Sequence, residues 1–198
     1  MSIAAATPRD YLLRPWAGSR VRDAALVSGA VLLTALLAQV SIPVPGSPVP
    51  VTGQTLAVLL VGATMGLHRG VAAMGVYLLL GAVGLPVFAD GSAGAAALIG
   101  PTGGYLAGFL LAAAAMGRLA ERGWDRTPLR MLALGVLGQA IVFAVGVPWL
   151  AVSVGLGPAD AIAAGFTPFI VGGLIKSAVA GMLLPGAWRL VRRDSTGG

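Results

Sequence analysis

The sequence predicts an all-α integral membrane protein, a compact bundle of six transmembrane helices with both termini cytoplasmic. Three observations carry that expectation. Of 198 residues, 57% are hydrophobic and only 10% charged, whereas soluble domains are roughly one-quarter charged. The chain divides into apolar stretches, and at about 20 residues per span its length holds about six with short connections. Twelve of the thirteen basic residues, Arg9, Arg14, Arg20, Arg22, Arg69, Arg118, Arg122, Arg126, Arg130, Arg189, Arg192 and Arg193, fall in the termini or in alternate connections. By the positive-inside rule those segments are cytoplasmic, and an odd number of spans would break the alternation.

Each span follows from its boundaries. No residue from Ala24 to Leu67 carries a formal charge, but Pro43, Pro45, Pro48 and Pro50 interrupt that stretch. Proline lacks an amide proton and clashes with the preceding helical turn, so two helices flank an extended loop. The first span runs about Asp23 to Ile42 and the second about Gln54 to Leu67. His68 and Arg69 mark a tight polar turn into a short third span, Gly70 to Leu85. Pro86 to Gly100, with Gly91, Gly94 and Asp90, reads as an irregular loop. The fourth span begins near Pro101, where proline suits a first turn, and ends near Ala120. The most charged stretch, Glu121 to Arg130, leads to the fifth span, about Leu129 to Val154. A connection with Gly155, Gly157, Pro158 and Asp160 leads to the sixth, about Phe166 to Val191, and Pro148 and Pro168 kink or restart these last two helices. The chain is one membrane domain: residues 1–22 form a cytoplasmic tail, 23–191 the bundle and 192–198 a second tail. The four Arg before the first apolar run, with no A-x-A site after a short one, indicate an uncleaved anchor.

Composition excludes several function classes. The net charge of +6 would suit nucleic acid if the basic residues clustered on one surface, but membrane orientation accounts for their positions. No cysteine is present, so disulfides, thiolate metal sites and a Cys nucleophile are excluded. The single histidine, His68, has no second imidazole to share a metal. Neither G-x-S-x-G nor H-E-x-x-H occurs. The run G-G-L-I-K-S from Gly172 has Ile175 where a phosphate-binding loop needs glycine before its lysine. No catalytic residue, metal or cofactor is therefore expected.

Lys176 is the thirteenth basic residue and stands inside the sixth span, 13 positions before Arg189. At about 1.5 Å per residue it lies roughly 20 Å from the cytoplasmic end. A cation at that depth costs several kcal/mol unless paired or hydrated, which marks it as a contact for a ligand or ion. The alternative is a structural lysine bonded to backbone carbonyls near Pro168. The sixth span offers it no carboxylate, so an anionic ligand is the attractive partner.

Three Pro- and Gly-rich loops, around Pro48, Ser92 and Gly157, converge on the external face, where irregular backbone is tolerated if it lines a cavity. Thr52 and Gln54 either hydrogen-bond a ligand there or serve as helix N-cap and interhelical contact. The run G-P-T-G-G-Y from Gly100 puts Thr102, Gly103 and Gly104 at a helix start whose amides suit a carboxylate, or forms only a tight turn and cap. Tyr105 is expected as an aromatic wall rather than an interfacial anchor. On the first span Ala30, Thr34 and Ala38 make an i, i+4, i+8 row of small residues that admits close approach of another helix, from a partner or from within. Gly62, Gly66 and Gly70 make a second row, expected to be internal.

Four ordered motifs complete the reading. They are I-P-V-P-G-S-P-V-P-V-T-G-Q-T-L-A-V-L-L-V-G from Ile42, Y-L-L-L-G-A-V-G-L-P-V-F-A from Tyr77, G-P-T-G-G-Y-L-A-G-F from Gly100 and P-F-I-V-G-G-L-I-K from Pro168. Over about Ala35 to Ala180 the chain resembles the BioY family, the biotin-specific S components of energy-coupling factor transporters. The resemblance implies a multi-pass protein of the bacterial cell membrane that binds biotin, needs no cofactor, and draws on ATP only through partner ATPase subunits and a transmembrane coupling subunit. It further implies that the Gly-rich loop with Gly91 and Ser92, and the last motif with Phe169, Gly173 and Lys176, contact biotin, and that the small row on the first span meets the coupling subunit. The chain departs from the pattern twice. Ser92 stands where the family often carries Asn, and Gly173 where G-D-x-x-K has its aspartate, while Lys176 matches. The other readings are an S component for a different vitamin and a small intramembrane enzyme using Lys176 with Ser177. Adjacent helical residues point about 100° apart, which places that pair poorly for base and nucleophile.

Overall fold

The structure is a computed structural model that describes residues 20–194; most of the predicted 1–22 tail and the last residues lie outside that range. Helix α1 (Arg20–Ala38) is followed by a two-stranded antiparallel hairpin, β1 (Ser41–Ile42) and β2 (Val51–Thr52), with Ser41 opposite Thr52 and Ile42 opposite Val51. Helices α2 (Gln54–Ala82), α3 (Ala95–Ile99), α4 (Gly103–Ala120), α5 (Pro128–Val154), α6 (Pro158–Gly165) and α7 (Phe169–Asp194) complete the chain, with single 3₁₀ turns at Ala89–Gly91 and Trp124–Arg126. Among the described residues five helices are long and apolar enough to cross a membrane: α1, α2, α4, α5 and the Phe169–Gly186 part of α7.

Helix α2 holds the second and third predicted spans. Gly66 inside it has φ 72° and ψ 179°, a conformation open essentially to glycine alone. A Cβ on Gly70 would lie 3.6 Å from Gly62 Cα, whereas eight residues of continuous helix would separate them by about 12 Å. The chain therefore folds back on itself at Gly66. The turn falls two residues before the predicted His68–Arg69 corner, because the glycine supplies the reversal and the Glu121 carboxylate accepts the Leu67 N–H at 2.9 Å. His68 is exposed, and Arg69 reaches Asp23 of α1 at 2.7 Å.

Helix α4 is the centre of the bundle and packs on α2 and α5; α5 packs on α7, and α1 on α2. Glycines set these distances. A Cβ on Gly62 would press on Met116 and Ala113 at 3.1 and 3.2 Å, and one on Gly108 would meet the Val142 backbone at 3.0 Å. This is the close approach that small residues give helices in lipid, where dispersion contacts replace the hydrophobic effect between helices. The row Gly62, Gly66 and Gly70 is buried inside the chain, as expected.

Three expectations need correction. A bundle of helices alone leaves out the β1–β2 hairpin and the short helices α3 and α6. The prolines of the first loop fall between the paired residues, where no ladder amide is needed. Helix α1 begins at Arg20 and ends at Ala38 rather than Ile42. The third concerns the row on α1: Ala30, Thr34 and Ala38 are 7%, 0% and 0% exposed, and the Thr34 hydroxyl donates back to the Ala30 carbonyl at 2.8 Å. A face with almost no accessible area offers little to a partner, and this row packs within the chain. The outward side of α1 carries Val21, Leu32 and Leu36, each at least 60% exposed, and Gly29, with nothing within 4 Å of where its Cβ would be.

Proline acts as its position allows. Pro148 lies inside α5, Pro185 inside α7, and Pro168 immediately precedes α7.

Candidate ligand-binding site

The bundle has two unlike ends. Asp23, Arg69, Arg118 and Glu121 meet where α1 begins, α2 reverses and α4 finishes. At the opposite end the hairpin, the loop after α2, α3 and the starts of α4 and α7 surround a cavity of about 410 Å³. That size suits a small organic molecule held by apolar walls with a few polar groups.

The loop after α2 is fastened from both sides. Gln39, just past α1, donates to the Phe88 carbonyl at 3.1 Å and accepts the Gly91 N–H at 3.1 Å. Phe88 is buried edge-on against Tyr77, with ring centroids 5.4 Å apart. Asp90 takes a left-handed conformation at φ 55°, which the short polar side chain of Asp tolerates, and lines the mouth of the cavity with Ser92.

The cavity floor is polar on one side. Lys176 Nζ donates to the Thr52 carbonyl at 2.6 Å and to the Thr55 hydroxyl at 2.8 Å. Both partners are uncharged, and among the described residues no carboxylate forms an ion pair with it. An ammonium has three donors, so one remains for a ligand. Thr52 Oγ1 donates to Gln54 Oε1 at 2.9 Å, Gln54 Nε2 to the Tyr77 hydroxyl at 2.6 Å, and that hydroxyl to the Val87 carbonyl at 2.9 Å. This chain ties the hairpin to both halves of α2 and commits the Gln54 amide to the scaffold, its interhelical alternative. Thr52 is not the N-cap; Gly53 is, with no side-chain cap bond.

Aromatic rings form the other wall. Tyr105 stands 6.3 Å from Phe143 and 6.5 Å from Phe169, and its hydroxyl donates to the Gly165 carbonyl at 2.8 Å. The ring is thus a wall, held at its polar tip by α6.

Of the residues singled out from sequence, Thr52, Gln54, Ser92, Thr102, Tyr105, Phe169, Gly173 and Lys176 line this one cavity, and Gly91, Gly103 and Gly104 do not. Gly91 is exposed and turned to Gln39. Gly103 and Gly104 are buried against the Leu98 carbonyl and Trp149. The first glycine's amide is already bonded to the Gly100 carbonyl at 3.0 Å. These two glycines let α5 approach the start of α4.

Sequence reading missed Thr55, Phe143 and Gln139. Thr55 follows from Lys176 once the two helices are seen to meet. Gln139 carried a signal of its own, as the only side chain with an amide, hydroxyl or charge between Arg130 and Ser153. Ser177, considered as a nucleophile, is fully buried and donates to the Gly173 carbonyl at 2.9 Å, which fixes it within α7.

Known proteins share both the sequence and the arrangement. The sequence profile of the BioY family matches residues 9–193. The biotin transporter BioY of Thermotoga maritima is 40% identical over 158 residues, 80% of this chain and 92% of that protein. The biotin transporter BioY of Rhizobium etli is 38% identical over 143 residues, 69% of this chain and 76% of its own length. The crystal structure of the S-component for biotin from an ECF-type ABC transporter superposes with a TM-score of 0.75 at 24% identity, over 90% of this chain and 93% of that one, and so shares the fold.

Proposed function

The chain belongs to the BioY family, and from that premise we propose that it captures biotin as the substrate-binding component of an energy-coupled vitamin importer in the bacterial cell membrane. The observation that carries the reading is Lys176: a half-buried cation with one donor to spare, at the floor of an aromatic-walled cavity, with no carboxylate of the described residues in an ion pair with it. Biotin brings a carboxylate for that ammonium, an apolar bicycle and chain for Tyr105, Phe143 and Phe169, and a ureido group that needs donors and acceptors. An unpaired charge buried in a membrane protein is costly, and an anionic ligand removes that cost.

Six crossings with both termini cytoplasmic fit this role. The reversal at Gly66 lets the two halves of α2 serve as separate crossings, and Arg69 and Arg118 lie with Asp23 and Glu121 at the end away from the cavity. The cavity then opens outward. Placed at Arg122, a single cysteine should escape an impermeant thiol reagent in intact cells; labelling there would overturn this orientation.

Uptake draws on a transmembrane coupling subunit and ATPases, since the chain's only Gly-rich run before a lysine lacks the phosphate-loop glycine. The coupling face on α1 is the outward one with Ala25, Gly29, Leu32 and Leu36. Gly29→Trp should abolish uptake and leave biotin binding intact, whereas Thr34→Trp should disturb folding itself. Uptake unimpaired by Gly29→Trp would place the partner elsewhere.

The direct test is mass spectrometry of small molecules retained after purification in mild detergent, with a panel of vitamins offered in competition. Biotin should be recovered and should outcompete the rest. Recovery of a different vitamin would change the substrate and keep the component.

A further inference from the structure

Gln139 sits on the inward face of α5 among Leu134, Gly135, Gly138 and Val142. It is 6% exposed and lines the cavity, and among the described residues its Nε2 has no hydrogen-bond partner. A buried amide donor left unpaired is rare and unfavourable, so each such group calls for a reason. Across from it stands Gly173 of α7: a Cβ there would lie 3.5 Å from Gln139 Cδ and 3.6 Å from Nε2. The glycine thus places no side chain between the carboxamide and the cavity, and α7 offers the amide only a hydrogen atom. The neighbouring carboxamide, Gln54, has its nitrogen donating to Tyr77 and its oxygen accepting from Thr52. Two glutamines border one cavity; both polar atoms of one are held by the scaffold, and the nitrogen of the other has no partner among the described residues.

We propose that Gln139 is the residue that recognises the ureido group of the ligand. This rests on the biotin reading above and adds the group that selects the ring rather than the tail. A primary carboxamide presents an N–H and a C=O side by side in one plane. A cyclic urea presents the complementary C=O and N–H at the same spacing, so two antiparallel hydrogen bonds join them. A carboxylate offers acceptors only and leaves the amide oxygen unmatched. It also has a better partner in the Lys176 ammonium, because a charge-assisted bond is roughly twice as strong as a neutral one. A site that hydrogen-bonds a polar group rejects analogues lacking it far more strongly than a greasy pocket distinguishes shapes.

The test compares wild type with Gln139→Met, close in volume and without hydrogen-bonding groups, and Gln139→Glu, which keeps the shape and loses the donor. Each purified protein is titrated with biotin and with biotin methyl ester, which retains the ureido group and lacks the carboxylate, and each is melted without ligand. The expected result is at least a tenfold loss of affinity for both ligands in both variants. Gln139→Met without ligand should melt no lower than wild type, since it removes an unpaired buried donor; a residue that only braced the fold would lower it. Unchanged affinity in either variant overturns the proposal. So does a loss seen with biotin but absent with the ester, which would hand Gln139 to the carboxylate. If Gln139→Met fails to fold, the same criteria apply to Gln139→Glu. Wild type that binds neither ligand would instead sink the biotin reading itself.

Discussion

At the charged end of the bundle Asp23 receives Arg69 at 2.7 Å and Glu121 receives the Leu67 amide at 2.9 Å, so both carboxylates are paired within the chain. At the cavity end Lys176 leans on two uncharged oxygens, and Gln139 Nε2 has no partner among the described residues. Both ends had to solve the same problem, polar atoms near lipid, and they solved it differently. Where the chain closes its own hydrogen bonds it fixes a turn and an orientation. Where it leaves capacity over, a ligand has groups to meet.

Substitutions at the two ends should therefore separate folding from binding. The largest effect is expected at the charged end: Gly66→Ala forces a side chain into a glycine-only conformation and against Glu121. It should cost about 1–3 kcal/mol of stability, read as a lower melting temperature in detergent, while biotin affinity of the folded fraction stays put. An affinity that fell with stability would mean the two ends are not independent. Next in size is Lys176→Ala, which should weaken biotin by at least about tenfold, ~1.4 kcal/mol, with the protein still inserted and folded. Lys176→Arg should recover only part, because a planar fork does not replace a point-like ammonium. Full affinity in the alanine variant would return Lys176 to the structural role. The smallest effect belongs to Asp23→Asn. Its pair with Arg69 is partly exposed, so less than about 1 kcal/mol should be lost, with no change in titrated affinity.

Much of this was legible in the sequence. Hydropathy located the five long apolar helices found among the described residues, because lipid disfavours charges in its interior. Lys176 stood out for the same reason, and Thr52, Ser92, Tyr105 and Phe169 came from motifs that do converge on one cavity. What escaped depends on which helix faces which. Gly103 and Gly104 read as an anion-binding helix start, yet the same small residues serve to admit Trp149. The row Ala30, Thr34 and Ala38 has the spacing of an interface, and spacing does not say whether the other helix belongs to the same chain. Thr55 becomes a partner of Lys176 only through a contact spanning 121 positions. Gln139 was visible as a lone polar residue in an apolar span, but its significance comes from Gly173, where the family pattern has an aspartate and this chain leaves room beside a carboxamide.

A structure of the protein determined with biotin bound is the most direct measurement of whether the cavity end is the binding end. The ligand should lie between the aromatic wall of Tyr105 and Phe169 and the polar floor, with its carboxylate within hydrogen-bond distance of Lys176 Nζ. Biotin found at the charged end, on the lipid-facing surface, or in the cavity without a contact to Lys176 would contradict the account.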